Sequence, residues 1–244
     1  MSKSIIVIPS RLSATRLPNK PLIKIRDKSL IMHVYDKAVK SQVGEVYVAT
    51  CDQEIALEVD KQGGKFVMTE NTHTTGTDRV WEASKKLKLH DSDYVINVQG
   101  DEPMINPNDI KNLHKVSMIE NSFFSTLAHN IKKKDDYKNK NIVKVITENR
   151  ISQNLAEQAL NFTRIIDLNN EKNIYHHIGI YLYKFSLLKK FVQLKKSKNE
   201  INESLEQLRA LDNKIKINVI MANYFSTGID TKKDLDDYIK FFNK

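Results

Sequence analysis

Two sets of residues in this chain are suited to phosphate chemistry, and each follows a short apolar run. The first is Arg11, Arg16 and Lys20, three cations within ten residues, interleaved with Pro9, Pro18 and Pro21 directly after Ile5-Ile6-Val7-Ile8. A guanidinium grips phosphate oxygens two at a time and a lysine adds a point charge, so this loop reads as a seat for phosphate groups. It is not a Walker A loop, because the Gly-x-x-x-x-Gly-Lys-Ser/Thr spacing is absent. No Gly-x-Gly-x-x-Gly dinucleotide fingerprint follows the first run either. The second set is Asn97-Val98-Gln99-Gly100-Asp101-Glu102-Pro103, after Tyr94-Val95-Ile96. Asp101 is suited to hold a divalent cation that organises phosphates, and Gly100 lets the backbone approach a ligand closely. Taken alone, the segment also reads as a turn with a solvated acidic pair.

Both sets need elements that bring them together. The first half alternates strand and helix: strands at Ile5–Ile8, Glu45–Thr50, Phe66–Met68 and Asp93–Val98, helices at Leu30–Val43, Ile55–Gln62 and Asp78–Leu89, the last with Asp78 as N-cap. Alternation at these lengths predicts a parallel sheet with helices on both faces, and in such sheets ligands bind beyond the carboxyl ends of the strands. Both phosphate-binding candidates fall there. The second half is less regular. It predicts strands at Phe123–His129, Asn141–Thr147, Ile178–Tyr183 and Lys216–Met221, a polar loop at Asn169–Tyr175, and helices through Val192, at Ser204–Leu211 and at Asp230–Phe242. The pattern fits one domain over residues 1–244 with an inserted subregion at roughly 123–200.

Composition narrows the class. With 244 residues, 40% hydrophobic and 28% charged, the chain has enough apolar mass for one substantial core. No apolar run is long enough to span a bilayer, and the N-terminal run is too short for a signal-peptide core, so the expectation is a cytoplasmic protein without membrane contact. The single Cys51 excludes an internal disulfide and a multi-cysteine metal site. The net charge of +9 raises a nucleic-acid reading, but the lysines are scattered and no nucleic-acid motif or aromatic platform accompanies them. No nucleic-acid partner is expected. Surplus charge focused in a cleft would instead draw in anionic substrates.

At this point the residues resemble a known family. Ile8-Pro9-Ser10-Arg11 and Thr15-Arg16-Leu17-Pro18-Asn19-Lys20-Pro21-Leu22 resemble the opening signature of the 3-deoxy-manno-octulosonate (KDO) cytidylyltransferases, the CMP-KDO synthetases. Further segments are similar to the same family and follow in its order. They are Thr74-Thr75-Gly76-Thr77-Asp78-Arg79, Asn97 to Met104, His177-Ile178-Gly179-Ile180-Tyr181, Leu205-Glu206-Gln207-Leu208-Arg209, and Gly228-Ile229-Asp230-Thr231-Lys232-Lys233-Asp234-Leu235. The resemblance covers nearly the whole chain.

The resemblance implies a Rossmann-like nucleotide-diphospho-sugar transferase fold, α/β, with a mostly parallel mixed sheet and a smaller subregion for dimerisation and sugar binding. It implies Mg²⁺-dependent transfer of CMP from CTP to KDO by a homodimer, serving lipopolysaccharide assembly. Lys20, Arg11, Asp101 and Asp230 become the catalytic set; Asp101 and Asp230 hold the metal. Arg11, Arg16, Lys20, Thr75, Gly76 and Gln99 bind the nucleotide; Arg79, Gln99, His177, Tyr181, Glu206 and Gln207 bind the sugar. Read without the family, Asp230 is equally an N-cap of the last helix, and His177 and Tyr181 are equally strand-core residues. Two departures stand out. Asn19 replaces the family's usual glycine, although Asn tolerates a left-handed backbone. The Asn161–Leu168 stretch keeps Arg164 but loses a proline, which leaves the sugar open to a relative of KDO such as an 8-amino analogue.

Overall fold

A computed structural model describes residues 2–13, 17–166 and 172–242. They form two compact units, one of Met1–Lys111 with Ser226–Lys244 and one of Asn112–Phe225. The second is wider than the subregion expected at 123–200.

The first unit is built on four parallel strands. In chain order it contains β1 (Ser4–Pro9), the small hairpin β2 (Lys24–Ile25) and β3 (Lys28–Ser29), α1 (Leu30–Lys40), β4 (Glu45–Thr50), α2 (Gln53–Lys61), β5 (Phe66–Met68), α3 (Gly76–Lys86), β6 (Tyr94–Asn97) and the start of α4 (Pro107–Ile119). The strand order is β5-β4-β1-β6, every pair parallel. Ile5, Ile6, Val7 and Ile8 are all fully buried. Successive strand residues point to opposite faces, so both faces of this sheet are covered, as the unbroken apolar run requires. The register pairs Val7 with Asn97, and the Val98 amide donates to the Val7 carbonyl at 3.1 Å. The loop after β1 and the loop after β6 therefore leave the sheet side by side.

The last stretch of the chain returns to this unit as α8 (Lys232–Phe242). Ile229, Leu235 and Tyr238 pack with Ile25 and Leu30 in one buried cluster, flanked by Leu17 and Met104. The Ile229 amide donates to the Asp101 carbonyl at 2.8 Å. This apolar anchoring is what sets Asp230 beside Asp101.

The second unit continues α4 and adds β7 (Phe124–Asn130), β8 (Lys144–Thr147), β9 (Glu157–Thr163), β10 (Ile174–Lys184), α5 (Phe185–Phe191), α6 (Lys198–Glu203), α7 (Leu208–Asp212) and β11 (Asn218–Met221). Its pairings run β10-β7-β11-β9-β8 and return from β8 to β10, closing a ring of strands that is mostly antiparallel. The sequence pattern missed α4, β9 and α6. It also merged Ser204–Leu211 into one helix. Ser204 instead ends α6 in the left-handed conformation, at φ 54°, and the chain turns through Leu205–Gln207 before α7. Two further expectations are corrected. Thr75, not Asp78, caps α3: its Oγ1 accepts from the Asp78 amide at 3.1 Å. α1 stops at Lys40, and Gln42 takes a positive φ of 57°. The expected loop at 169–175 is shorter, because β10 begins at Ile174; residues 167–171 lie outside the described part.

Candidate active site

The phosphate-loop cation Lys20 sits on a single turn of 3-10 helix, Lys20–Leu22, with Pro21 in its first turn. Asn19 enters that turn at φ 52°, a left-handed conformation that asparagine tolerates better than most residues. The turn aims Lys20 inward, and its Nζ has three acceptors: Asp101 Oδ2 at 2.7 Å, the Ile229 carbonyl at 2.8 Å and Asp230 Oδ1 at 3.3 Å. The lysine and both aspartates are thus one constellation, built from positions 81 and 210 residues apart in the chain.

The capping alternative for Asp230 fails on geometry. Thr231 is the N-cap of α8 and Asp234 its reciprocal partner. Asp234 Oδ2 accepts from the Thr231 amide at 2.8 Å, and Thr231 Oγ1 accepts from the Asp234 amide at 3.2 Å. With the helix end satisfied by these two, the Asp230 carboxylate is directed to Lys20.

A cavity of about 360 Å³ opens over this constellation, lined among others by Arg11, Lys20, Thr75, Gly76, Arg79, Gln99, Asp101 and Asp230. Eight residues singled out in the sequence therefore share one concave surface. Arg16 lies outside the described residues. Ser10, Ser13, Leu17 and His73 line the same cavity and were not singled out. Ser10 Oγ is buried without a hydrogen-bond partner among the described residues, which marks it as a group waiting for a polar ligand. Its only sequence signal was its place beside Arg11. His73 gave none, since it sits in a polar stretch ahead of α3.

Arg79 is not the surface helix arginine that its type suggests. It is 3% exposed, and its Nη1 donates to Thr69 Oγ1 and, at 3.4 Å, to the Glu70 carbonyl. Among the described residues its partners are these two neutral oxygens and no carboxylate. A buried guanidinium with only neutral acceptors carries uncompensated charge, so an anion in the cavity would stabilise it. Gly100 lines the cavity and also has a packing reason to lack a side chain. A Cβ there would lie 2.9 Å from the Pro9 carbonyl oxygen, so glycine lets β1 and the loop after β6 run together. Burial and the Asp101 charge push the neighbouring Glu102 carboxyl up to about 8, and Ser226 Oγ donates to it at 2.8 Å.

The candidates His177, Tyr181, Glu206 and Gln207 belong to the second unit. In a regular strand, residues 177 and 181 would stand about 13 Å apart at roughly 3.3 Å per residue. A register shift between Ile178 and Tyr181 breaks the ladder and brings their rings to 5.5 Å. Thr126 closes the break: its Oγ1 donates to the Ile180 carbonyl at 2.7 Å and meets His177 Nε2 at 2.9 Å. Burial pushes His177 down to about 3, so its ring is neutral. Burial, with the Glu206 charge nearby, raises the Tyr181 phenol, which places Glu206 at the same cluster. Gln207 is buried beside it in the turn before α7. That turn is braced by Arg209, whose Nε donates to Glu200 Oε2 at 2.8 Å.

The sequence pattern of the cytidylyltransferase family matches residues 5–217. The chain is 44% identical to the 3-deoxy-manno-octulosonate cytidylyltransferase of Thermodesulfovibrio yellowstonii, with 98% of each chain covered. It is 39% identical to the enzyme of that name from Bartonella tribocorum, with 95% of each chain covered. The chain belongs to the 3-deoxy-manno-octulosonate cytidylyltransferase family. A solved structure of CMP:2-keto-3-deoxy-manno-octonic acid synthetase complexed with CTP is 37% identical and matches with a TM-score of 0.90 over 99% of each chain. UDP-glucose pyrophosphorylase complexed with UDP-glucose matches with a TM-score of 0.72 at 11% identity, covering 100% of this chain and 99% of its own. At that identity the likeness is one of fold, the Rossmann-like fold of nucleotide-sugar transferases expected from the sequence. For this cytidylyltransferase the opening loop, the first turn of α3 and the loop after β6 supply the lining of one cavity, as a nucleotide site in such a fold requires.

Proposed function

We propose that this chain transfers the cytidylyl group of CTP to 3-deoxy-manno-octulosonate, giving CMP-KDO and pyrophosphate. Membership of the family over the whole length supports the reaction. The observation that carries the site is the meeting of Lys20 with Asp101 and Asp230 in a cavity that also holds Arg11 and Arg79.

The reaction joins a polyphosphate to a carboxylated sugar. Charge repulsion is its main obstacle, so neutralisation and positioning are what a protein can contribute. The sugar's anomeric hydroxyl attacks the α-phosphorus as the bond to the bridging oxygen of pyrophosphate breaks. Arg11 and Lys20, with Arg16, neutralise the charge that gathers on the leaving pyrophosphate. Thr75, Gly76 and Gln99 hold the nucleotide. Arg79 takes the sugar carboxylate, which completes its unpaired charge. On the second unit, the cluster of His177, Tyr181, Glu206 and Gln207 supplies the hydroxyl, amide and carboxylate groups that the family resemblance assigns to the sugar, as it assigns Gln99 on the first. Neutral His177 suits a hydrogen bond to a hydroxyl.

The donor set of Asp101 and Asp230 fits Mg²⁺. Both are hard carboxylate oxygens, and both already reach a single cation, the Lys20 ammonium, within 3.3 Å. Mg²⁺ takes one or two protein carboxylates and fills its other positions with water and phosphate oxygens. When bound, it would polarise the phosphate undergoing attack.

A homodimer in the cytoplasm is the assembly we infer. Leu160, Ile165 and Ile201 of the second unit are each more than half exposed, which suits burial against a second copy. No helix among the described residues is long and apolar enough to cross a membrane. The test is pyrophosphate release from each of the four nucleoside triphosphates, with and without KDO and Mg²⁺. Release from CTP only when KDO and Mg²⁺ are both present is the expected result. A panel including an 8-amino KDO analogue tests the altered 161–168 segment, and faster turnover of the analogue would reassign the sugar.

A further inference from the structure

The helix α3 does more than present Arg79. Its residues Arg79, Glu82 and Lys86 lie on one face and hold the preceding segment 68–73. Lys86 Nζ donates to the Met68 carbonyl at 2.8 Å, and Arg79 holds Thr69 and the Glu70 carbonyl. Glu82 gathers three donors: Lys86 Nζ at 2.8 Å, the Glu70 amide at 2.9 Å and His73 Nε2. Burial alone would raise the Glu82 carboxyl, but Lys86, the Glu70 amide and His73 outweigh it and hold it at about 2. At neutral pH Glu82 is therefore a carboxylate and can only accept. The bond to His73 must be donated by Nε2–H.

This fixes the tautomer. In the singly protonated ring the proton is then on Nε2 and the lone pair on Nδ1. His73 lines the cavity beside Thr75 and Gly76, and its Nδ1 has no hydrogen-bond partner among the described residues. An oriented acceptor at the nucleotide cavity selects for a ligand donor. Cytosine carries a 4-amino donor where uracil carries an oxygen acceptor. We propose that His73 reads the base by accepting a hydrogen bond from the cytosine 4-amino group, and that Glu82 is the positioning residue that fixes its tautomer. The assignment rests on the reading that CTP is the nucleotide. A site built to meet an amino group rejects the base that offers an acceptor in its place, because two acceptors are then left face to face.

The experiment has two arms. In the first, kcat/KM for CTP and for UTP is measured in the wild type, His73→Ala and Glu82→Gln. The expected result is at least a tenfold fall in the CTP-to-UTP ratio for His73→Ala, and a smaller fall for Glu82→Gln, carried by KM more than by kcat. Equal proportional losses on both nucleotides would make His73 a structural residue and overturn the proposal. The second arm needs no turnover. In ¹⁵N-histidine spectra of the wild type, His73 should be the Nε2–H tautomer, and its Nδ1 resonance should shift on adding CMP but not UMP. Glu82→Gln should show mixed tautomers. An Nδ1–H tautomer, or the same response to both nucleotides, overturns the proposal. A wild type that releases pyrophosphate from no nucleotide would defeat the transfer reading, while the spectra would still decide the role of His73.

Discussion

Two aspartates four residues apart, Asp230 and Asp234, do different work because their partners differ. Asp230 Oδ1 faces Lys20 at 3.3 Å, whereas Asp234 accepts from the Thr231 hydroxyl and backbone at the start of α8. Replacing Asp230 with Asn removes a charge at the site but no helix cap. Transfer should fall by about a hundredfold or more, the usual scale for losing a preorganised charge. Stability in urea should move by no more than about 0.5 kcal/mol, as at a partly exposed surface position. Asp234→Ala should show the opposite profile, with about 1 kcal/mol of stability lost to the missing cap and far less effect on transfer. Activity and urea midpoints on both variants check this, and a D230N variant with full activity would remove Asp230 from the site. The sequence alone could not divide these roles, since Asp followed by Thr-Lys-Lys-Asp is an equally good helix start one residue earlier. Only the position of the Thr231 hydroxyl decides it.

At the scale of elements, the break in β10 is what makes a cluster out of a strand. Thr126 Oγ1 on β7 serves the Ile180 carbonyl at 2.7 Å, the Ile178 carbonyl at 3.2 Å and His177 Nε2 at 2.9 Å. Thr126→Val keeps the shape and removes every one of these bonds. The expected cost is about 2–3 kcal/mol, for buried polar groups left without partners. Because His177 and Tyr181 would lose their relative placement, KM for the sugar should rise more than KM for CTP. Urea unfolding with steady-state kinetics on both substrates checks this, and equal rises would show that the break serves the fold alone. The break was not legible in advance. Ile178–Tyr183 reads as an ordinary apolar strand, and the one hint, Gly179, fits a bulge or a plain strand equally. By contrast β1, β4 and β6 were legible because parallel strands buried on both faces write unbroken apolar runs. α4 was missed because Pro107 to Ile119 mixes polar residues into its apolar face, and α6 because it is six residues long with a single buried side chain, Glu200.

The whole molecule carries an acid sensitivity that follows from the same second unit. His176 and His177 point to opposite sides of β10, His176 against His129 and Phe225, His177 against Phe162 and Tyr181. In the unfolded chain both rings titrate near 6.5; in the folded chain burial, reinforced at His176 by the charges of His129 and Lys144, holds them at about 4 and about 3. Above pH 6.5 both states are neutral and the histidines add no pH dependence. As pH falls below 6.5, the unfolded chain takes up protons that the folded chain refuses, so stability drops. The slope is at most about 1.4 kcal/mol per pH unit for each fully buried ring. His176 is partly exposed, and solvent screening reduces its share. Between pH 7.5 and 5 the pair should therefore cost roughly 2–4 kcal/mol. Glu82, which titrates at 4.5 unfolded and about 2 folded, acts in the same direction only at lower pH, whereas Glu102, which burial raises to about 8, acts in the opposite direction over this range, because there the folded chain keeps a proton that the unfolded chain has released. Urea unfolding should show the wild type losing that much stability relative to a His176→Gln, His177→Gln double variant, which keeps amide donors for the neighbouring groups and leaves Glu102 unchanged. Parallel declines in the two proteins would place the acid sensitivity elsewhere in the chain.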